Sequence, residues 1–357
     1  MNIAPSGVVR SLLRAEAEIN LLARCNPTNA AKASETARES WLAGRPLHPA
    51  FEFAPRPDFS QLRRALEALE QWLGSRGSWS DIWAARAREL VLEAQIVEAV
   101  GTPLLPPLSR RRFSVEQAHE RAIARLARCW ATLHVDAELE ELIPSDDATN
   151  PNSLLRLMRA EVERLKIPVP VRIGATMMAR AAVDDTAVWI KPAVLMGTTQ
   201  AKRIVVHEVH GHVIRRFRGR KNKNLPFRCG VVDADVDEEG RALWLEAQSG
   251  GMTASRKVEL GRRHLMAQAC RDGASFVEGV ELLQNVGTPL DEALAVGVRV
   301  WRGGGLAREI VYLTGYTRAA RQLRQHPELD DWMSKGRLSF AVAARVAQGE
   351  LPLNEVD

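Results

Sequence analysis

The stretch Ile204-Val205-Val206-His207-Glu208-Val209-His210-Gly211-His212-Val213-Ile214-Arg215-Arg216-Phe217-Arg218, residues 204–218, decides how the rest of the chain is read. Three of the chain's eight histidines fall within six residues, and a carboxylate follows the first. An apolar run leads in and a basic run leads out, so the segment reads as a partly buried helix. Neutral imidazole is the commonest metal ligand among side chains. A Glu beside a ligand histidine is where zinc hydrolases keep a general base, which makes His207 a candidate ligand and Glu208 a candidate base.

The second ligand turns on spacing. The ordinary His-Glu-x-x-His helix has its ligands at i and i+4, whereas here His210 stands at i+3 and His212 at i+5. At about 100° per residue, i+3 lies about 60° round the helix from His207 and i+5 about 140°. A regular helix favours His210. His212 serves if a π-bulge widens the helix locally, and Gly211, a weak helix former, sits where that distortion is tolerated. On geometry alone both histidines stay open.

The HExxxH pattern from His207 to His212, followed by Asp237-Glu238-Glu239-Gly240-Arg241-Ala242, resembles a family that includes bacterial proteins named for a Gln-Glu-Gly-Leu-Ala motif and the eukaryotic microtubule-associated tyrosine carboxypeptidases. The segments His48-Pro49-Ala50-Phe51-Glu52-Phe53 and Met178-Ala179-Arg180-Ala181 add to the likeness. It covers most of the chain, most specifically over 204–242 and least before 110. The resemblance implies His207, His212 and Glu239 as zinc ligands and Glu208 as the catalytic base. It implies a zinc metallopeptidase, a carboxypeptidase removing a C-terminal residue from a peptide or protein. His210 then reads as an outward-facing residue or one that supports the ligands from behind. Glu238 in place of Gln and Arg241 in place of Leu remove no ligand, but both bear on substrate preference. Further on, Arg299-Val300-Trp301-Arg302-Gly303-Gly304 and Arg308-Glu309-Ile310-Val311-Tyr312 resemble the family's late Arg-Gly and Lys-Asp-x-x-Tyr motifs, with Arg308 and Glu309 replacing Lys and Asp. A carboxypeptidase needs a cation for the terminal carboxylate and a donor for the developing oxyanion. Arg299, Arg302 and Tyr312 are the substrate-binding candidates, against the alternative that they brace helices. His264, His119 and His326 read as structural or exposed.

Composition sets the bounds. The 357 residues, 46% hydrophobic and 26% charged, are ordinary for a globular protein with room for two domains or for one with a helical extension. No apolar run approaches the ~18 residues of a membrane span. Met1 to Arg10 lacks the basic-then-apolar layout of a signal peptide, so a cytoplasmic protein without a membrane partner is expected. The four cysteines are far apart and form no Cys-x-x-Cys pair, which argues against a disulfide framework or a thiolate metal site. The net charge of +5 permits an acidic partner, an acidic peptide C-terminus among them. Residues 215–223 hold six basic residues and read either as a solvated helix end or as a rim that attracts such a tail. Nucleic-acid binding is the poorer reading, since a single aromatic, Phe217, lies among them and no recognisable nucleic-acid-binding fold accompanies them. The acidic run Asp233-Ala234-Asp235-Val236-Asp237 is no calcium loop, because its sixth and twelfth positions hold Glu238 and Trp244 instead of Gly and Glu. It reads as carboxylates at a helix N-terminus, some of them orienting ligand histidines.

Helical periodicity marks 8–24, 59–74, 79–100 and 114–134, with Ser60, Ser80 and Ser114 as N-caps and Glu116 or Glu120 in a first turn. Residues 43–60 and the proline-rich 101–112 read as loops, and 144–152 as a strong break. The expected division is a helical N-terminal region, 1–150, and a zincin-like catalytic domain, 151–357. The second part opens with a helix at 153–166. Strands follow at 169–174 and 186–191, the first confined by Pro168 and Pro170 to a sheet edge or to a strand start. The histidine helix spans 198–217, with Gly219 as its stop, and a helix at 235–248 carries Glu239. The fold class is α+β, mostly helical, with the histidine helix under a small β-sheet. The rival to an enzyme is a non-catalytic, metal-containing regulator or acidic-partner-binding protein. Glu208 argues for the enzyme, since a structural zinc site is closed by four protein ligands and needs no adjacent base.

Overall fold

The computed structural model describes residues 5–74, 77–115, 117–135, 140–174, 177–184 and 186–353, so Glu116 lies outside the described residues. In chain order the elements are α1 (Pro5–Ile19), α2 (Leu21–Arg24), α3 (Ala30–Leu42), α4 (Ser60–Leu73), α5 (Trp79–Glu98), α6 (Leu105–Arg112), α7 (Gln117–Ala131), β1 (Ile143–Pro144) and α8 (Leu154–Arg164). Then come β2 (Val171–Ile173), β3 (Ala181–Val183), β4 (Val188–Ile190), β5 (Leu195–Met196), α9 (Thr198–Val205), a π-helix (Val206–Val213), α10 (Ile214–Lys221), α11 (Pro226–Cys229) and α12 (Ala234–Gln248). The rest is helical: α13 (Ala254–Arg271), α14 (Phe276–Asn285), α15 (Leu290–Val300), α16 (Ile310–Gln325), α17 (Leu329–Ser334) and α18 (Phe340–Ala347). The fold is α+β and mostly helical. No described helix is long and apolar enough to cross a membrane.

Two compact units form, Met1–Leu133 with Lys257–Thr314, and His134–Arg256 with Gly315–Asp357. In the first, α1, α4 and α6 pack on α5. Because α5 is covered on several sides, its charged residues are buried and must be paired. Arg112 of α6 reaches Glu89 at 3.0 Å and Glu93 at 2.8 Å, and Arg86 pairs with Glu89 and Glu93. Several local expectations are corrected here. Residues 105–112 are helical, because Pro106 and Pro107 occupy the first turn, where the missing N–H is no loss. Ser60 and Ser80 lie inside their helices, and Phe59 and Ser78 stand at the caps. Asn20, at φ +42°, divides the 8–24 segment into α1 and α2.

His264, on α13, is 2% exposed, and neither ring nitrogen has a hydrogen-bond partner among the described residues. Burial, aided by the charge of Arg271, pushes its imidazole down to about 4. The unfolded chain protonates this ring near pH ~6.5 while the folded chain does not, so stability is lost as pH falls from about 6.5 towards 4. Between about pH 7.5 and about pH 5 the loss attributable to this ring is about 2 kcal/mol. Denaturant unfolding at both pH values checks it: His264→Leu is expected to remove that part of the acid dependence, and an unchanged slope refutes it.

The second unit is built round the histidine helix. Strands β2, β4 and β3 form one sheet in that order, β2 parallel and β3 antiparallel to β4. Pro168 and Pro170 both precede β2, which starts at Val171 and lies at a sheet edge, so neither ring interrupts the ladder. Ile143–Pro144, where the break at 144–152 begins, pair with Leu195–Met196 as a two-stranded antiparallel ribbon. The core joins Leu154, Met158 and Val162 of α8, Val188 and Ile190 of β4, and Ile204, Val209 and Val213 of the histidine helix. The helix runs past Gly219 to Lys221. Gly219 is instead a packing position, since a Cβ there would stand 2.8 Å from the carbonyl oxygen of Phe227.

Candidate metal centre

The segment 198–221 is one continuous helical rod with a π-helical middle, Val206–Val213. Bonding from i to i+5 widens each turn, so residues five apart come one above the other. His207 and His212 consequently face one another, with ring centroids 5.0 Å apart at 69°. His210 swings away and places Nε2 2.7 Å from Glu161 Oε1 of α8.

The widening is held by α12, not by local propensity. Gly211 abuts Ala242 so closely that a Cβ on Gly211 would lie 2.5 Å from the Ala242 Cβ. Arg241 donates from Nη1 to the carbonyl oxygen of His210, 3.0 Å away, while its Nε bonds Asp330 at 2.7 Å. Gly240 has its own neighbour, Gly315 of α16, whose carbonyl oxygen would lie 2.2 Å from an added Cβ. Each residue of Glu238-Glu239-Gly240-Arg241-Ala242 thus has a distinct physical task on one helix.

Glu239 projects from α12 towards both imidazoles. Its Oε2 is 3.4 Å from His207 Nε2 and 3.8 Å from His212 Nε2, and one ligand atom from each of the three residues lies within 4.8 Å of the others. Bonds of ~2.0–2.1 Å to a tetrahedral zinc separate ligand atoms by about 3.4 Å. The spacing fits such an ion with small movements. The outer nitrogens fit as well. His207 Nδ1 is 2.6 Å from Glu246 Oε1, and His212 Nδ1 is 2.7 Å from Glu238 Oε1. A carboxylate on Nδ1 leaves Nε2 to act as ligand, the usual support behind a metal-bound histidine.

Arginines hold both supporting carboxylates. Glu246 is fully buried and takes a two-pronged bond from Arg256, at 2.9 and 3.0 Å, and a third from Arg203 at 3.1 Å. Burial works to raise its carboxyl, but Arg256 and the His207 bond outweigh it and hold the group well below the usual range. Glu238 is likewise depressed against its burial, by Arg215 and then His212. For His207, burial is the largest influence and works downward, yet the bonds with Glu239 and Glu246 push the ring up to about 10. A cation held at Nε2 would take the place of that proton.

Glu208 is buried, and its carboxylate makes no hydrogen bond or ion pair among the described residues. It stands beside His207 with no contact that holds its oxygens. Arg299, Arg302 and Tyr312 belong to the first unit, where Arg299 and Arg302 bind the buried Glu309 at 3.3 and 3.0 Å. Tyr312 lies under Arg263 and accepts a bond from Arg308 at 3.3 Å. Of the acidic run, Asp237 orients no histidine: it accepts from Phe340 N at 2.8 Å, at the start of α18, and from Arg318 at 2.9 Å.

Sequence reasoning missed Glu246, Arg203 and Arg256. One signal was present, since Glu246 follows Glu239 by two helical turns and so shares its face. The family model of microtubule-associated tyrosine carboxypeptidases matches residues 43–350. No curated protein matches the chain.

Proposed function

We propose, since the chain belongs to the microtubule-associated tyrosine carboxypeptidase family, that it is a zinc-dependent carboxypeptidase acting on a peptide or protein C-terminus. One observation carries the reading: a two-imidazole, one-carboxylate set converges beside an uncommitted buried carboxylate. Three protein ligands with a neighbouring base are the donor set of a catalytic zinc, whereas structural sites are closed by four.

In this reading His207, His212 and Glu239 would hold the ion, the two imidazoles through Nε2. Bound zinc supplies a Lewis acid that polarises a peptide carbonyl and makes water acidic enough to attack near neutral pH. Glu208 takes the proton of the attacking water on its carboxylate and delivers it to the leaving amine, work that general bases perform for about 10²–10⁴-fold in rate. Glu246 and Glu238 keep both imidazoles turned with Nε2 inward. The basic residues between Arg216 and Lys223 give an acidic substrate tail a long-range attraction.

The test is metal analysis combined with a screen of peptides varied at the C-terminal residue. About one zinc per chain and chelator-sensitive release of a single terminal residue are expected. A fully metal-loaded protein that releases nothing from any member of the library overturns the reading.

A further inference from the structure

We propose that Glu238 is a positioning residue that fixes the tautomer of His212 and thereby sets how tightly the centre holds its metal, an inference that rests on the metal reading above. His212 Nδ1 lies 2.7 Å from Glu238 Oε1. An ionised carboxylate has acceptors only, so this contact forms with Nδ1–H alone and leaves the lone pair on Nε2. That nitrogen is the one turned to Glu239.

A carboxamide at position 238 would be ambiguous. Its oxygen would select the same tautomer, but its NH₂ would select the opposite one, with a hydrogen on Nε2 where the metal must bind. The carboxylate removes the ambiguity, and the surrounding residues keep it in place. Glu238 is 5% exposed. Its Oε2 lies 3.6 Å from Arg215 Nη1 and its Oε1 4.0 Å from Arg216 Nε. Arg215 is itself fully buried, donating from Nε to Gly336 O at 2.9 Å and from Nη2 to Leu338 O at 2.7 Å and Ala234 O at 3.4 Å. Nε and Nη2 of Arg215 are thus tied to fixed backbone oxygens, which leaves Nη1, buried and without a hydrogen-bond partner among the described residues, as the charge facing Glu238, and an arginine has no acceptor with which to re-pair. Orientation therefore passes from the 336–338 backbone through Arg215 and Glu238 to His212.

The experiment has two arms on the full chain. Nitrogen NMR of the histidine rings, in metal-free protein about two pH units above the ordinary imidazole value, reads the His212 tautomer. Competition against a chelator reads zinc affinity. The parent is expected to show Nδ1–H alone. Glu238→Ala is expected to show both tautomers and zinc binding about 10–100-fold weaker, the usual effect of losing such a partner. Glu238→Gln is expected to show a mixed tautomer and a loss of about several-fold, and it decides the matter should the alanine variant not fold. A folded variant that keeps Nδ1–H alone and binds zinc as the parent does overturns the proposal. A parent that binds no zinc defeats the metal reading, and the tautomer arm still passes judgement on Glu238.

Discussion

Glu208→Gln is expected to lower peptide hydrolysis by about a hundredfold or more while leaving zinc content and fold unchanged. The substitution keeps the size of the side chain and removes only its ability to take a proton. The carboxylate is buried and makes no hydrogen bond or ion pair among the described residues, its charge acting on His207 through space, so none of those contacts is lost with it. It is not a member of the ligand set, so zinc titration should give the parent stoichiometry. Two results count against it. Unchanged turnover would mean that another group moves the proton, and loss of zinc together with activity would mean that Glu208 supports the ligands and is no base.

How far the site was legible in the sequence follows from where its energy comes from. The three histidines and Glu208 stand within six residues, and their residue types alone suggested a metal. The choice among them was not local. A period of 3.6 residues brings His210 towards His207, and the π-helix that brings His212 there instead is held by Ala242 and Arg241, on a different helix. Propensity within 204–218 contains no record of those partners. Glu246 was missed for the same reason, since its function depends on Arg203 and Arg256 converging on it. Away from the site, α3 escaped notice because its buried positions are only Ala33 and Ala37, too small to mark an apolar face. Residues 105–112 were misread through their prolines, which forbid a helix interior but suit a first turn.

His212→Ala and His210→Ala should separate cleanly. Their side chains leave the same π-helix on different sides. His212 Nε2 faces Glu239 and its Nδ1 is anchored by Glu238, whereas His210 is given to Glu161 at 2.7 Å. Structural zinc sites bind with about 10–16 kcal/mol, so one ligand's share, with the others left in place, is about 3–5 kcal/mol, or about 10²–10⁴-fold in affinity. His212→Ala is expected to lose zinc by that factor, and its activity with it. His210→Ala breaks one hydrogen bond to a carboxylate that Arg164 also holds, which costs about 1–2 kcal/mol of stability and leaves zinc affinity within about threefold of the parent. The backbone argument points the same way. The carbonyl of His210 is bonded by Arg241, and that bond does not depend on the side chain, so the π-helix survives the substitution. Zinc titration and denaturant unfolding of both variants give opposite patterns: a metal defect without much loss of fold for His212, and a small loss of fold without a metal defect for His210. A metal defect in His210→Ala equal to that of His212→Ala would mean that His210 supports the centre as much as His212 does, and that its bond to Glu161 is not its whole role.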